Sequence, residues 1–249
     1  MDAERQATLR YVRRGYLWAR GVASRTFFDR PLGVDTTSEV ALSALGLQDA
    51  ERVDYEPSGW LGVRRALARM DVREDDVFLD LGSGKGRVVL QAAQRPFRRV
   101  IGVELAGELH DIALRNVEIA RPKLCCQDVE LVRADVMEYR VPDDVTVVYM
   151  CNPFRGGIFD AATQALIDSV DRAPRTVRLI YQVPTEHDRL LATGRFRLTR
   201  VARGRRPTRA WSHHAALHEY ELQARPRLRA DIARPQERGA PVMSSHHST

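Results

Sequence analysis

The chain has 249 residues, with 39 Lys and Arg against 33 Asp and Glu, 44% hydrophobic residues and three cysteines. That length suits one large α/β domain or one domain with a short accessory element, and no run approaches the roughly 18 consecutive apolar residues of a membrane helix. The first twenty residues are charged throughout and lack an apolar h-region, so the chain reads as a soluble, cytoplasmic protein rather than a secreted or membrane one.

Cys125 and Cys126 are adjacent and Cys151 stands apart, a set that predicts neither a disulfide framework nor a metal site. The net charge of +6 is uneven: residues 195–249 contribute +8 and the first 194 contribute −2. Lys85 and Lys123 are the only lysines, and so strong an Arg preference reads as genome composition more than as selection for phosphate contacts. A basic C-terminal end still suits an acidic partner.

Residues 1–30 read as a helical, Arg-rich lead-in with apolar or aromatic positions at Leu9, Tyr11, Tyr16, Leu17 and Trp18. Residues 31–60 are mixed, with turn signals at Pro31-Leu32-Gly33 and Pro57-Ser58-Gly59. Residues 1–60 are therefore expected to form an N-terminal helical extension, or lid, over a domain at 61–224. The domain opens with an amphipathic helix over 61–70, with Val63, Leu67 and Met70 on one side.

Apolar runs then alternate with helical stretches. The runs are Val77–Leu81, Val100–Leu105, Val129–Val132, Val145–Cys151 and Val177–Val183, and the helical stretches fall at 86–94, 106–120 and 159–170. Continuously apolar runs separated by helices predict a doubly wound, mostly parallel sheet. Two further runs, 195–203 and 215–224, have no ordinary helix between them and predict a hairpin at one edge of the sheet. Residues 225–249, rich in Arg, Pro, Ser and His, read as a disordered tail.

The first strand ends in "VFLDLGSGKGR", where Asp80 precedes Gly82, Ser83, Gly84 and Gly86 and a helix follows. Glycines allow backbone angles and close ligand approach that a Cβ blocks, and the carboxyl ends of strands are where open α/β sheets bind ligands. The G-x-G-x-G spacing with an acid two places ahead suits a ligand with a cationic amino-acid tail better than a pyrophosphate. Glu104 closes the second strand, where a carboxylate accepts both hydroxyls of a ribose. Asp135 follows the third strand, in reach of an adenine amino group, and Asn152, Pro153 and Phe154 end the fourth.

With these segments together, residues 60–223 resemble the class I, seven-stranded S-adenosylmethionine-dependent methyltransferases. The resemblance implies a Rossmann-like seven-stranded sheet with antiparallel sixth and seventh strands, and S-adenosylmethionine as cofactor. It implies that Asp80 through Gly86 hold the methionine part, Glu104 the ribose, and Asp135 with Val136 the adenine. "DLGSGKGR" and "YEPS" at Tyr55–Ser58 are similar to a protein-lysine branch of the superfamily, which implies Tyr55 near the methionine end. Asn152-Pro153-Phe154 resembles the segment with which nitrogen methyltransferases grip a target amine, but with one proline instead of two.

The function expected is methyl transfer to a nucleophile, nitrogen first, in a protein or small molecule. Asn152 orients the acceptor, and Phe154 and Tyr55 shape the walls. His187 reads as a loop histidine with a general base as the alternative, and His213-His214 has the same standing. Two other functions compete. Arg195–Arg209 with Trp211 fits RNA methylation or RNA binding. A nicotinamide-dependent oxidoreductase would use Glu104 equally well, but the loop spacing argues against it.

Overall fold

The computed structural model describes residues 11–12, 15–16, 18–37, 60–152, 154–202 and 216–224. The continuously apolar runs form strands β1 (Val77–Leu81), β2 (Arg99–Glu104), β3 (Val129–Arg133), β4 (Val147–Cys151) and β5 (Val177–Gln182). Helices α1 (Trp60–Arg69), α2 (Arg87–Ala93), α3 (Gly107–Ala120) and α4 (Gly156–Arg172) lie where the helical patterns fall. A short α5 (His187–Ala192) leads into β6 (Phe196–Ala202) and β7 (Leu217–Leu222).

β4 begins two residues later than its apolar run. Val145 is already in the core, and Thr146 serves the edge of β1 instead: its N–H donates to Val77 O at 3.0 Å and its hydroxyl to Asp76 Oδ1 at 2.7 Å. Asp76 also accepts from Arg178 Nη2 at 2.7 Å and from the Arg73 N–H at 3.0 Å.

The seven strands form one sheet in the order β3-β2-β1-β4-β5-β7-β6. β1, β2, β3, β4 and β5 pair in parallel, and β7 is antiparallel to both β5 and β6. The hairpin therefore completes the sheet at one edge, as expected, with β7 inserted between β5 and β6. β6 and β7 form the expected antiparallel pair, and β6 shares the direction of β5. The chain leaves β5 through α5, lays down β6 at the outer edge, and returns to fill the gap with β7.

Alternation along each strand separates two apolar layers. Val77, Leu79, Leu81, Ile101, Val103, Val148 and Met150 face α4, packing on Phe159, Ala162, Leu166 and Val170. Phe78, Val100, Val147, Tyr149 and Ile180 face the opposite side, against Val63 and Leu67 of α1, Val89 of α2 and Val117 of α3. Asp80 and Glu104 fall on this second face by the same period of two.

Backbone over 18–32 is helical, with a wide π-type turn at Arg25–Asp29, and it stops at Gly33, whose φ of 79° gives the left-handed cap. Tyr11 and Trp18 of the lead-in are 77% and 72% exposed. The segment is attached by buried Leu32 and Val34 and by Phe28, whose ring stacks on Trp60 at 4.8 Å. Leu9, Leu17, the Pro57 turn and the tail at 225–249 lie outside the described residues.

Candidate cofactor and acceptor site

The glycine loop turns sharply after β1. Gly82, Gly84 and Gly86 have φ of 81°, 53° and 80°, in the region that residues with a Cβ rarely occupy. Gly82 and Ser83 both donate N–H groups to Val103 O at 2.9 Å, and Gly86 donates to Ser83 O at 2.9 Å. A fourth glycine, Gly102, lies opposite Asp80 in the sheet register. A Cβ there would sit 2.8 Å from methyls of Leu131 and Val89 and 3.0 Å from Ser83 Cβ, so the loop rests directly on bare backbone.

Asp80 is 1% exposed, and neither of its carboxylate oxygens has a hydrogen-bond partner among the described residues. The hydroxyl of Ser83, on the adjoining loop, is likewise buried without one. Burial, and then the charge of Glu104, push the Asp80 carboxyl well above the usual carboxylate range. An orphaned acid is costly in a folded interior, and a cation beside it removes most of that cost. These two residues fit the amino-acid end of S-adenosylmethionine, whose ammonium would supply the charge.

Glu104 is held differently. Its Oε2 accepts the Gly84 N–H at 2.8 Å and its Oε1 the Ala106 N–H at 2.9 Å. Burial raises this carboxyl too, opposed by the backbone donors of Ala106, Gly84 and Leu105. Each oxygen keeps a lone pair, the arrangement that receives two neighbouring ribose hydroxyls.

On the adenine side, Asp135 lies two residues beyond the end of β3, and its Oδ1 accepts the Met137 N–H at 3.0 Å. Val136 beside it is buried in the core. The glycine loop with Asp80, Glu104, and Asp135 with Val136 thus stand at the carboxyl ends of the neighbouring strands β1, β2 and β3. Tyr55 lies outside the described residues.

The candidate acceptor side lies where β4 and β5 end. Asn152 and Val183 follow the paired residues Cys151 and Gln182, and they are the two non-glycine residues with positive φ, 44° and 52°, among the described residues. Asn152 is nearly buried, and its Oδ1 accepts the Thr185 hydroxyl. Phe154, expected to shape a wall of the site, is buried in the α4-side core with Val136 and Ile158. Pro153 lies outside the described residues.

His187 is not a loop residue: it opens α5 and is half-buried. Its Nδ1 lies 2.7 Å from the Tyr220 hydroxyl, which also meets His218 Nδ1 at 3.1 Å. Burial, then the neighbouring Tyr181 and Asp188, push the Tyr220 phenol strongly up. His218 and Tyr220 alternate on β7, a period-two signal that sequence reading had available but could not join to His187 without the register. His213 and His214 lie outside the described residues.

Arg87, the first residue of α2, ties the glycine loop to the N-terminal segment, a contact that the motif hides. It is 4% exposed, and its guanidinium donates to Thr36 Oγ1 and Thr36 O at 2.8 Å and to Thr37 Oγ1 at 3.0 Å. Asp29 Oδ2 is 4.0 Å away and the Trp60 ring 5.8 Å. Asn116 of α3 adds a second tie, donating to Asp35 O and Lys85 O at 3.0 Å. Together they fix the segment 29–37 to the glycine loop.

Residues 78–176 match the family model described as a methyltransferase domain. Over 84 residues the chain is 39% identical to "Probable ribosomal RNA small subunit methyltransferase A" of Methanopyrus kandleri, covering 34% of this chain and 28% of that protein. Over 67 residues it is 39% identical to a protein-lysine N-methyltransferase of Saccharolobus islandicus, covering 26% of this chain and 42% of that one. The matches thus span less than half the length of either curated relative. The YcgJ protein of Bacillus subtilis, 11% identical, shares the fold with a TM-score of 0.50 over 67% of this chain and 99% of that one. The matched domain runs from β1 through α4 and contains the glycine loop, the orphaned Asp80 and the diol-ready Glu104. The chain thus carries a methyltransferase domain over residues 78–176, within a sheet of the methyltransferase fold.

Proposed function

We propose that this protein transfers a methyl group from S-adenosylmethionine to a nitrogen acceptor in a protein or small molecule. The observation that carries the nitrogen assignment is Asn152, a nearly buried amide at the end of β4, beside the β1/β4 position where the strand order reverses. An amide oxygen accepts an N–H and so turns the nitrogen lone pair away from itself. When bound, the cofactor would supply a methyl group activated on a sulfonium, and the acceptor nitrogen would give up its proton to water. The work of the chain is then orientation, for which aligned groups are worth on the order of 7–11 kcal/mol at their upper range. Asp80 and Ser83 hold the amino-acid end, Glu104 the ribose, and Asp135 with Val136 the adenine.

The lysine-specific relative supports a protein acceptor. The ribosomal RNA relative, matched over the longer segment, supports RNA as the second reading. Against RNA, two arginines of the basic stripe are engaged within the fold, Arg195 with Asp171 and Arg197 with Glu221. Arg200 of the stripe lies on β6, and residues 203–215, which hold its remaining arginines and Trp211, lie outside the described residues. Cytoplasmic localisation is part of the same proposal.

Labelled S-adenosylmethionine, incubated with the protein and separated protein, RNA and small-molecule fractions of its source cell, tests the acceptor. Label in protein or small molecules that survives as methylated nitrogen supports the proposal. Label confined to RNA selects the second reading, and label on oxygen or carbon overturns the nitrogen assignment.

A further inference from the structure

The loop after β5 is fixed at more points than a connection of its length needs. The Val183 N–H donates to Ala216 O at 2.9 Å, the Thr185 N–H to Val183 O at 2.8 Å, and the Glu186 N–H to the Tyr181 hydroxyl at 3.4 Å. His187 then ties the next residue to Tyr220 at 2.7 Å. These bonds hold Val183 at a φ of 52° although it is β-branched and precedes Pro184, two features that disfavour such a backbone. Strain of this kind persists where its surroundings over-determine it, and it gathers at functional sites.

The consequence of that geometry is the place it gives one hydroxyl. Thr185 is presented across the sheet edge to Asn152 and donates to its Oδ1. A free asparagine amide can turn over, exchanging an acceptor for a donor at the same spot. A hydroxyl donating to Oδ1 selects one face and leaves the second lone pair of that oxygen for an incoming N–H.

We propose that Thr185 is a positioning residue for methyl transfer, setting the Asn152 amide in the orientation that receives the acceptor nitrogen. The inference rests on the reading of Asn152 as the acceptor-orienting group. It makes the β5 loop part of the acceptor site and gives its strained backbone a purpose.

The test needs no identified acceptor. Sinefungin carries a C–NH3+ group in place of the S–CH3+ group, so its ammonium stands where methyl transfer occurs, whereas S-adenosylhomocysteine has nothing there. The ratio of the two dissociation constants, measured by calorimetry, therefore reads the Asn152 amide. Wild type is expected to prefer sinefungin. Thr185→Val is expected to reduce that preference about fivefold or more, with S-adenosylhomocysteine affinity unchanged, and Thr185→Ser to restore it. Thr185→Val added to Asn152→Ala is expected to do nothing further, as for two residues acting through one bond.

If Asn152→Ala abolishes the preference and Thr185→Val does not, the positioning role of Thr185 is wrong while the reading of Asn152 stands. If wild type shows no preference, or Asn152→Ala keeps it, the reading of Asn152 fails and the inference falls with it.

Discussion

Replacing Asp80 with Asn should move stability and cofactor affinity in opposite directions. The Asp80 carboxyl is raised first by burial and then by Glu104, so its ionised form is disfavoured in the free folded protein. For a group whose folded-state value lies above its unfolded one, the stabilising contribution is complete below the ordinary carboxylate range, near pH 4. It is lost as pH rises toward the folded-state value. Asn has nothing to ionise. Asp80→Asn should therefore match wild type at low pH and exceed it increasingly as pH rises, by about 1–3 kcal/mol over the first one to two units, since each unit toward the folded-state value costs the acid about 1.4 kcal/mol. In a chain of this size that is roughly 2–12 °C in melting temperature.

The same substitution removes the partner of a bound ammonium. A hydrogen bond to a charged group is worth about 1.5–3 kcal/mol, so the dissociation constant of S-adenosylhomocysteine should rise about 10- to 150-fold. Binding to wild type should release a proton and strengthen with pH by at most about tenfold per unit below the raised value, a dependence absent from the variant. Thermal unfolding at several pH values, with calorimetry in buffers of different ionisation enthalpy, measures both. A variant less stable than wild type at pH 8, or one that binds S-adenosylhomocysteine with unchanged affinity, would refute the assignment of Asp80 as the cation-facing acid.

Three further outcomes are expected. Arg87→Met deletes the donors to Thr36 and Thr37 and leaves Asp29 buried beside an apolar chain, so urea unfolding should show a loss of about 3–5 kcal/mol. Hydrogen exchange should rise first over residues 29–37. In Asp76 burial pushes upward, but the bonds from Arg73, Thr146 and Arg178 outweigh it and lower the carboxyl, so its stabilisation is present above the ordinary carboxylate range and lost as pH falls through the folded-state value. Asp76→Asn should accordingly cost about 2–3 kcal/mol at pH 7 and progressively less near pH 3, as read from paired denaturation curves. Val183→Gly relieves about 1–3 kcal/mol of backbone strain against about 0.5–1 kcal/mol of added chain entropy, so melting should hold steady or rise. Its preference for sinefungin should fall toward that of Thr185→Val, and a melting temperature lowered by several degrees would contradict the strain argument.

What could be read from the chain divides by distance along it. The inner parallel strands are largely apolar because helices cover both faces, a signal that is local, whereas β3 at the edge is half-exposed. Asp80, the glycine loop and Glu104 were equally legible, since each sits where its own strand stops and strand ends converge on one crevice. The inserted position of β7 was not, because two apolar runs separated by a loop specify a hairpin without saying which strand meets β5. The contacts that complete the site are less local still: Thr185 meets Asn152 from 33 residues away, and Arg87 reaches Thr36 across 51. A threonine after a proline and an arginine after a glycine loop are ordinary residues in a linear reading. Once β4 and β5 pair Cys151 with Gln182, however, the next residue of each strand must turn out of the sheet at the same level. Register thus converts two unremarkable sequence positions into one polar contact, and the proposed acceptor half of the site rests on the pairing of strands more than on any motif.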